Sequence, residues 1–362
     1  MGFSSIRISH FRNLKEQEIN LSHKNIYLIG KNGQGKTNFL ELVYFLCYAS
    51  SFRTRNDKNL IREGDRSFHI SGDFRHSSDS IANRIDVHFD PPEKKIRLNG
   101  KNVVDRKDIV NNIPCIVFCH NDLYFVNGSP EKKRVYLDQC LSLHDPQYIT
   151  SLRQYKKILK ERNFLLKEKK TDLLEVYTAQ LVEIGYPIQL KRKKLINYLN
   201  EKFGMYYERV TGVSEPLKLH YNHSWKEEER ENVFRSHMDK ISRELQYGLT
   251  LSGPHRDSFS ILQNRNNYLD FASTGQLRVI SLILRILQAE FYLKSTGRLP
   301  LLLVDDVLLE LDDEKRKRMM DCFPSYEQIF YTFLPGEAVE NEADSLFYQV
   351  KDGTLESSGL YG

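Results

Sequence analysis

The sequence feature that most constrains this chain of 362 residues is one glycine-rich octapeptide. A glycine followed by four residues and then Gly-Lys-Thr is the spacing of a phosphate-binding loop, in which backbone N–H groups turn towards the phosphates of a nucleotide. In that pattern Lys36 supplies a positive charge and the Thr37 hydroxyl ligates Mg²⁺. We therefore predict a nucleotide site whose loop residues are Gly30, Lys31, Asn32, Gly33, Gln34, Gly35, Lys36 and Thr37.

The residues on either side of the octapeptide have the periodicities that such a loop requires. Ile26 to Ile29 is a short apolar run typical of a buried strand, and Ser5 to Phe11 alternates as a strand does. Apolar residues at helical spacing then predict a helix that begins near Lys36. From Ser67 to Val104 the pattern predicts an antiparallel sheet with a two-residue turn at Asn99-Gly100. The start of the chain is therefore predicted to be α/β.

Composition excludes several classes of protein. Hydrophobic residues make up 40% of the chain and charged residues 28%, so it can bury a core and is neither fibrous nor disordered. No apolar run approaches the ~18 residues of a membrane span. Five scattered cysteines suit a reducing compartment, and we interpret Cys115 and Cys119 as core residues of a strand rather than, with His120, as metal ligands. We expect a cytoplasmic protein with no membrane partner.

A second apolar run, Leu301 to Val304, ends in two adjacent acids. A phosphate loop needs a carboxylate at the end of a neighbouring strand to hold the metal, and two adjacent carboxylates repel each other without a cation. We predict that Asp305 joins Thr37 as a metal residue and that Asp306 orients or deprotonates the attacking water. Lys36, Asp305 and Asp306 are thus the candidate catalytic residues. The alternative is an acidic turn after a buried strand.

A third motif precedes an apolar helix in the last third of the chain. Ser273 and Gln276 fit a helix capping box, which is one interpretation. Ser273, Gly275 and the helix N-terminus also suit a second anion site. Because the chain has one nucleotide loop, we infer that Ser273, Gly275 and Gln276 meet the γ-phosphate held by a second copy, in a two-fold homodimer.

The middle of the chain, from Pro130 to about Lys240, is predicted to be mostly helical, and strands resume near Leu251. Arg153 to Lys170 holds eight Lys or Arg and two Glu, and Lys191 to Lys194 adds four positive residues. Such a run is either the solvated face of a helix or a surface that follows the phosphates of DNA. The candidate DNA contacts are Lys156, Lys157, Lys160, Arg53 and Arg55.

Short motifs in a fixed order make the chain resemble the RecF family of bacterial recombination ATPases. The stretch Ile8 to Asn13, the glycine-rich loop and Ser51 to Thr54 are similar to the start of that family. Five further matches follow in the family's order. They are Val117-Phe118 with Asp122-Leu123, Leu159 to Asn163, Gly253 to Asp257, Ser273 to Gln276, and Asp305-Asp306 with Glu310 to Asp312.

The resemblance implies an ABC-type ATPase head related to SMC proteins but without their long coiled coil. On this basis we divide the chain into an ATPase lobe at 1–126 and 298–362 and a helical lobe at 127–297. The resemblance further implies ATP and Mg²⁺ as cofactors, an ATP-dependent homodimer on single-stranded or gapped DNA, RecO- and RecR-type partners, and roles in repair, replication and the SOS response. By match, Arg12 and Asn13 lie near the nucleotide, and Asp312 lies in a loop that faces the dimer.

Four positions depart from the family pattern. Leu277 stands where Gln is common, Leu309 replaces a small residue, and Cys119 to Asn121 replaces Ser-Pro-Glu. Thr332 to Leu334 offers no histidine to sense the γ-phosphate. Because binding tolerates such changes better than turnover does, we expect slow, DNA-stimulated hydrolysis.

Three other functions fit parts of the sequence. A phosphate loop also occurs in small-molecule kinases, and an ABC-type head also occurs in transporter subunits. The motif at Ser273 argues against a kinase, and no surface for coupling helices is evident in the sequence. A nucleotide-stabilised scaffold without turnover is the third alternative.

Overall fold

A computed structural model describes residues 2–75, 81–110, 112–337 and 344–358. The chain forms two compact units. Unit 1 combines Met1–His120 with Tyr292–Gly362, and unit 2 is the intervening Asn121–Phe291. The division made from the sequence placed its two junctions six residues later, at 126/127 and 297/298.

The helices and strands are numbered here in chain order. The first part of unit 1 holds β1 (Phe3–Ser9), β2 (Gln17–Asn20), β3 (Asn25–Ile29), α1 (Lys36–Tyr48), β4 (Phe68–Phe74), β5 (Asn83–Asp90), β6 (Glu93–Leu98), β7 (Lys101–Asn102), α2 (Lys107–Val110) and β8 (Cys115–Phe118). Then follow α3 (Leu123–Asn127), α4 (Pro130–Ser142), α5 (Pro146–Lys167), α6 (Leu174–Asn200), α7 (Phe203–Thr211), β9 (Leu217–Asn222), α8 (Arg230–Asp239), α9 (Ile241–Tyr247), β10 (Ser258–Gln263), β11 (Asn266–Asn267) and α10 (Thr274–Thr296). The chain continues with β12 (Leu301–Val304), α11 (Asp313–Met320), β13 (Gln328–Phe333), β14 (Ser345–Lys351) and β15 (Thr354–Ser358).

The site-bearing sheet of unit 1 has the strand order β15-β14-β3-β13-β12-β8. The four pairings from β14 to β8 are parallel, and the edge strand β15 runs antiparallel to β14. Every residue of β3, β12 and β13 is buried, as expected for parallel strands covered on both faces. Because parallel strands end at the same edge, the residues after β3, β12 and β13 lie side by side.

The second sheet of unit 1 is antiparallel, with the order β2-β1-β4-β5-β6-β7. The predicted turn is confirmed, since Asn99 and Gly100 join β6 to β7 with φ of 51° and 78°, as a type I′ turn requires. The first strand ends two residues earlier than predicted, at Ser9, because His10 and Arg12 have positive φ. Helix α1 begins at Lys36 as predicted and packs against strands of both sheets.

Unit 2 is mostly helical, as predicted, and also holds a three-stranded antiparallel sheet, β11-β10-β9. The range predicted as helical was wrong at β9, whose alternating Leu217, Leu219 and Tyr221 face the interior. No helix in the described parts of the chain is both long enough and apolar enough to cross a membrane.

Two arginines counted in the basic runs are not on the surface. Arg162 is fully buried and binds Glu244 at 2.6 Å, and Arg192 is buried and binds Asp138 at 2.8 Å. A buried guanidinium is tolerated only when it is paired and hydrogen-bonded. The runs therefore combine internal braces with exposed lysines, and the interpretation of every member as surface charge was wrong for these two.

Candidate functional site

The glycine-rich octapeptide forms a loop between the end of β3 and the start of α1. Gly35 is the N-cap of α1 with φ of 118°, a conformation that disfavours side chains, and a Cβ there would lie 3.1 Å from Leu14. A Cβ on Gly30 would lie 2.4 Å from the Val350 carbonyl oxygen. Glycine is therefore required at both ends of the loop, and the first N–H groups of α1 remain available to an anion.

The loop borders a cavity of about 430 Å³, a size typical of ligand pockets. The Lys36 side chain lines it and is 4% exposed, and its Nζ donates to the Gly30 carbonyl at 2.7 Å and lies 3.9 Å from Asp306 Oδ2. Gln34 instead accepts a bond from the Asp352 N–H at 2.7 Å. The cavity is lined by Lys31, Asn32, Gly33, Gly35, Lys36, Thr37, Asn38, Arg53 and Asp306.

The two predicted metal residues are in direct contact. The Thr37 hydroxyl donates to Asp305 Oδ1 at 2.7 Å. Burial raises the pKa of Asp305 to about 6 against the opposing bond from Thr37, and the neighbouring Asp306 raises it further. A divalent cation here would favour the ionised form. Hydroxyl and carboxylate oxygens are the ligands that Mg²⁺ prefers, so this pair fits it.

The donor set also fits an ion that arrives with its nucleotide. Within residues 2–75, 81–110, 112–337 and 344–358, no group of three or more His, Cys, Asp or Glu could hold a metal. Mg²⁺ is commonly bound by one or two protein oxygens together with phosphate oxygens and waters. Thr37 and Asp305 would supply such a partial shell.

Asp306 is held by its neighbour on β13. Its backbone has φ of 53°, its N–H donates to Thr332 Oγ1 at 2.7 Å, and its Oδ1 accepts from the same hydroxyl at 2.6 Å. From the sequence, Thr332 was considered only as the place of a missing histidine. The signal that could have identified it is the parallel register of β12 and β13, which places Thr332 beside the acids.

A buried carboxylate that sequence reasoning missed organises the rim of the loop. Glu41 on α1 is fully buried and accepts two bonds from Arg12, both at 3.0 Å, and one from Arg53 at 3.1 Å. The Ser51 hydroxyl donates to it as well. Asn13 Nδ2 donates to the Gly33 carbonyl at 3.3 Å. Arg12 and Asn13 therefore brace α1 and the loop from the side of β1.

Arg53 belongs to the cavity. It was predicted as a DNA contact, and its side chain, which is 39% exposed, also lines the cavity, binds Glu41 and donates to Asn38 Oδ1 at 2.7 Å. Arg55 is exposed. The spacing of the arginines in the sequence does not distinguish Arg53 from Arg55. Only the position of the buried Glu41 carboxylate shows that Arg53 is bound beside the loop.

One position that departs from the family pattern, His120, contacts a matched acidic residue in unit 1. His120 Nδ1 lies 2.5 Å from Glu310 Oε1. Cys115 and Cys119 are buried free cysteines, and Asp305 N–H donates to the Phe118 carbonyl between them at 2.9 Å. These contacts connect the strand end of β8 to the loop that follows Asp306.

In unit 2, the serine motif forms the predicted capping box. Ser273 N–H donates to Gln276 Oε1 at 2.8 Å, and Gln276 N–H donates to Ser273 Oγ at 3.2 Å. Ser273 and Gly275 are nevertheless exposed, and the atom nearest to a Cβ on Gly275 would be Ser273 Oγ at 4.0 Å. Capping is therefore present, and the surface of the helix tip remains accessible to a further ligand.

The candidate DNA lysines of unit 2 lie on one helix. Lys156, Lys157 and Lys160 are all exposed on α5. Their spacing places them on adjoining positions of the helix surface. They form a compact basic patch, which we call the α5 lysine patch.

The fold and this loop define the class: a P-loop ATPase head of the ABC and SMC type. The family model described as the RecF/RecN/SMC N terminal domain matches residues 3–354. The DNA replication and repair protein RecF of Treponema pallidum (strain Nichols) is 39% identical over 335 residues, 91% of this chain and 93% of that protein. The chain belongs to the RecF family.

Solved structures agree with this assignment. A structure of the recombination mediator protein RecF with ATP, in the RecFOR pathway, is 28% identical, with a TM-score of 0.88 over 99% of this chain and 98% of that chain. An Smc head domain from Pyrococcus furiosus is 15% identical, with a TM-score of 0.56 over 99% of this chain and 96% of that chain. The second likeness shows the shared fold.

Proposed function

We propose that this RecF-family replication and repair protein binds ATP and Mg²⁺ in unit 1 and that the bound nucleotide joins two copies into a clamp on DNA. The observation that carries the proposal is the cavity in which Lys36, Thr37 and Asp306 meet at the glycine loop. ATP is also the ligand of the RecF structure that this chain matches at a TM-score of 0.88.

In this proposal, the charged and hydroxyl side chains of the site each have a defined role. Lys36 exchanges the Gly30 carbonyl for phosphate oxygens, and the free N–H groups of α1 bind the same phosphates. Thr37 and Asp305 hold Mg²⁺ in place of their direct bond. The ion, when bound, neutralises charge on the β- and γ-phosphates. Asp306 turns Oδ2 towards the cavity and orients the attacking water, while Arg53 adds a positive charge at the rim.

The dimer follows from the accessible helix tip of unit 2. Ser273, Gly275 and Gln276 of one copy would bind the γ-phosphate cradled by the other, because their capping bonds leave the serine hydroxyl and the glycine backbone exposed. A two-fold arrangement then uses each motif twice. Hydrolysis removes the shared phosphate and separates the copies.

DNA is assigned to the α5 lysine patch, with Arg55 as a further exposed candidate in unit 1. Single-stranded or gapped DNA, RecO- and RecR-type partners and SOS induction belong to the proposal. Its support is the similar RecF protein that is described as part of the RecFOR pathway. The five free cysteines support work in the reducing cytoplasm.

Sedimentation tests the proposal. We expect a monomer without nucleotide, a dimer with ATP and Mg²⁺, and a longer-lived dimer for Asp306→Asn, which keeps the size of the side chain but cannot accept a proton. Lys36→Ala should remain monomeric under all conditions. A mass that is independent of ATP in the native protein would contradict the clamp.

A nucleotide-stabilised scaffold without turnover is the second candidate, and the occupancy of the histidine position by Thr332 favours it. Single-turnover cleavage of radiolabelled ATP separates the two functions. We expect slow cleavage by the native protein, faster with DNA, and none by Lys36→Ala. Equal release of phosphate by both proteins would support the scaffold.

A further inference from the structure

We propose that Thr332 is a positioning residue for ATP cleavage, whose hydroxyl fixes the Asp306 carboxylate so that only Oδ2 faces the attacking water. This inference rests on the proposed function, in which Asp306 acts on that water. It assigns a role to a strand residue that binds neither nucleotide nor metal.

The two short hydrogen bonds of the Thr332 hydroxyl are both made with Asp306. Oγ1 accepts from the Asp306 N–H at 2.7 Å and donates to Asp306 Oδ1 at 2.6 Å, whereas the Val304 carbonyl is farther away, at 3.4 Å. Thr332 is 3% exposed, so water does not compete for these bonds. One hydroxyl thus fixes both the backbone and the side chain of the acid.

The backbone bond has a consequence of its own. Asp306 has φ of 53°, in the left-handed region that non-glycine residues seldom occupy. Such a conformation persists where neighbouring groups hold it. Since Val304 pairs with Tyr331, Thr332 stands one residue further along β13, where it can hold this turn.

The side-chain bond divides the two carboxylate oxygens. Oδ1 is taken by Thr332, while Oδ2 lies 3.9 Å from Lys36 Nζ, and Asp306 lines the cavity. A carboxylate held by one oxygen cannot rotate to present either oxygen at random. Threonine suits the task because its branched Cβ restricts χ1.

The test compares Thr332→Val, which keeps the shape and loses the hydroxyl, with Thr332→Ser, which keeps the hydroxyl. We expect the valine variant to lower kcat for ATP by about 10- to 100-fold. The KM for ATP and the dissociation constant of a non-hydrolysable ATP analogue should change less than about threefold, because no nucleotide contact is lost. Thr332→Ser should restore kcat to within about fivefold of the native value.

Thr296→Val is the matched control. The Thr296 hydroxyl donates to the Tyr292 carbonyl at 2.9 Å within α10, so its loss removes a threonine hydrogen bond without touching Asp306. We expect native kcat for this variant. If Thr332→Val does not fold, Thr332→Ala replaces it, with the same expected result.

A double-mutant cycle with Asp306→Asn separates this inference from the proposed function. If Thr332 acts through Asp306, adding Thr332→Val to Asp306→Asn should lower kcat by less than about twofold. Native kcat in Asp306→Asn, or no cleavage by the native protein, would overturn the proposed hydrolysis and this inference together. A large loss in Asp306→Asn with native kcat in Thr332→Val, or fully additive losses in the double variant, would overturn this inference alone.

Discussion

In unit 1 the candidate site is buried and its side chains bind one another, whereas in unit 2 the candidate contacts are exposed. Lys36 and Asp305 are 4% and 6% exposed, and each already has a hydrogen-bond partner, the Gly30 carbonyl for Lys36 and the Thr37 hydroxyl for Asp305. Ser273 is exposed, and its capping partner Gln276 lies one turn further along α10.

This difference teaches which contacts one copy can complete alone. A buried cluster of lysine, threonine and carboxylates is preorganised to receive phosphates and a cation, since its members are fixed before the ligand arrives. An exposed helix tip and the α5 lysine patch hold no such cluster and gain energy only from a second molecule. In the proposed function, unit 1 would therefore supply nucleotide affinity, and unit 2 would supply contacts to a second copy and to DNA.

The largest effect should come from Lys36→Ala. Loss of a charge-assisted bond to phosphate costs about 3 kcal/mol, so we expect ATP affinity to fall by about 100-fold or more. Equilibrium binding of ATP with Mg²⁺ measures this. Lys58→Ala, at an exposed position outside the cavity lining, is the control and should bind as the native protein does. If Lys36→Ala binds ATP with native affinity, the assignment of the nucleotide site to the loop of unit 1 is contradicted.

The next effect should come from Ser273→Asp. Aspartate is as good an N-cap as serine, so α10 keeps its start, but its charge opposes a second copy's γ-phosphate. We expect the ATP-dependent dimer to weaken by about 10- to 100-fold while ATP binding by the monomer stays unchanged. The neutral cap of Ser273→Thr should leave the dimer intact. If sedimentation shows that both variants dimerise equally well, Ser273 serves only as the N-cap of α10 and does not contact the second copy's nucleotide.

A smaller effect should follow from reversing the α5 lysine patch. With Lys156, Lys157 and Lys160 changed to Glu, affinity for single-stranded DNA should fall about tenfold at moderate salt, and the slope of log affinity against log salt should decrease by roughly 2. ATP affinity should not change. The control reverses Lys95 and Lys101, which are exposed on β6 and β7. The same loss in the control would show only a general dependence on net charge.

The smallest effect is on stability and depends on pH. Because burial raises the pKa of Asp305 to about 6, from 3.8, the folded state binds its proton more tightly than the unfolded state does. The contribution of this group is therefore fully present at low pH and is lost as pH rises through about 6. Without nucleotide and Mg²⁺, Asp305→Asn should raise Tm by a few degrees at pH 7.5 and by less at pH 5.

Asp313→Asn is the control for that measurement, since the Asp313 side chain is fully exposed. Its Tm should follow that of the native protein at both pH values. A Tm gain in Asp305→Asn that does not change with pH would mean that the titration of Asp305 is not its cause. Such a result would contradict the inference that burial destabilises the ionised Asp305 carboxylate while no ion is bound.

The loop could be predicted from the sequence almost residue by residue, because steric demands at Gly30 and Gly35 leave so few alternatives. The strand β12, which ends at Val304 just before the two acids, could also be predicted, because its four residues are all apolar. The bonds of Thr332 to Asp306 could not be predicted, since they depend on the register of two strands far apart in the chain.

The buried charges were beyond sequence reasoning for a different reason. Arg162 stands in a run of lysines, and its burial is made possible by Glu244, 82 residues further on, together with the hydroxyls of Thr178 and Thr250. Glu41 likewise looks in the sequence like an ordinary polar residue of a helix. Only the structure shows that it pairs with both Arg12 and Arg53. A charge pattern records how many charges a segment has and gives no information about where their partners lie.

The most direct test of the central claim, a nucleotide held by the loop of one copy and the helix tip of another, is to mix Lys36→Ala with Ser273→Asp. Each variant alone forms no productive site. A mixed dimer contains one site with an intact Lys36 and an intact Ser273 from different copies, so mixing should restore ATP-dependent dimers and part of the ATP cleavage. No gain in dimer or in cleavage at any ratio of the two proteins would contradict the account.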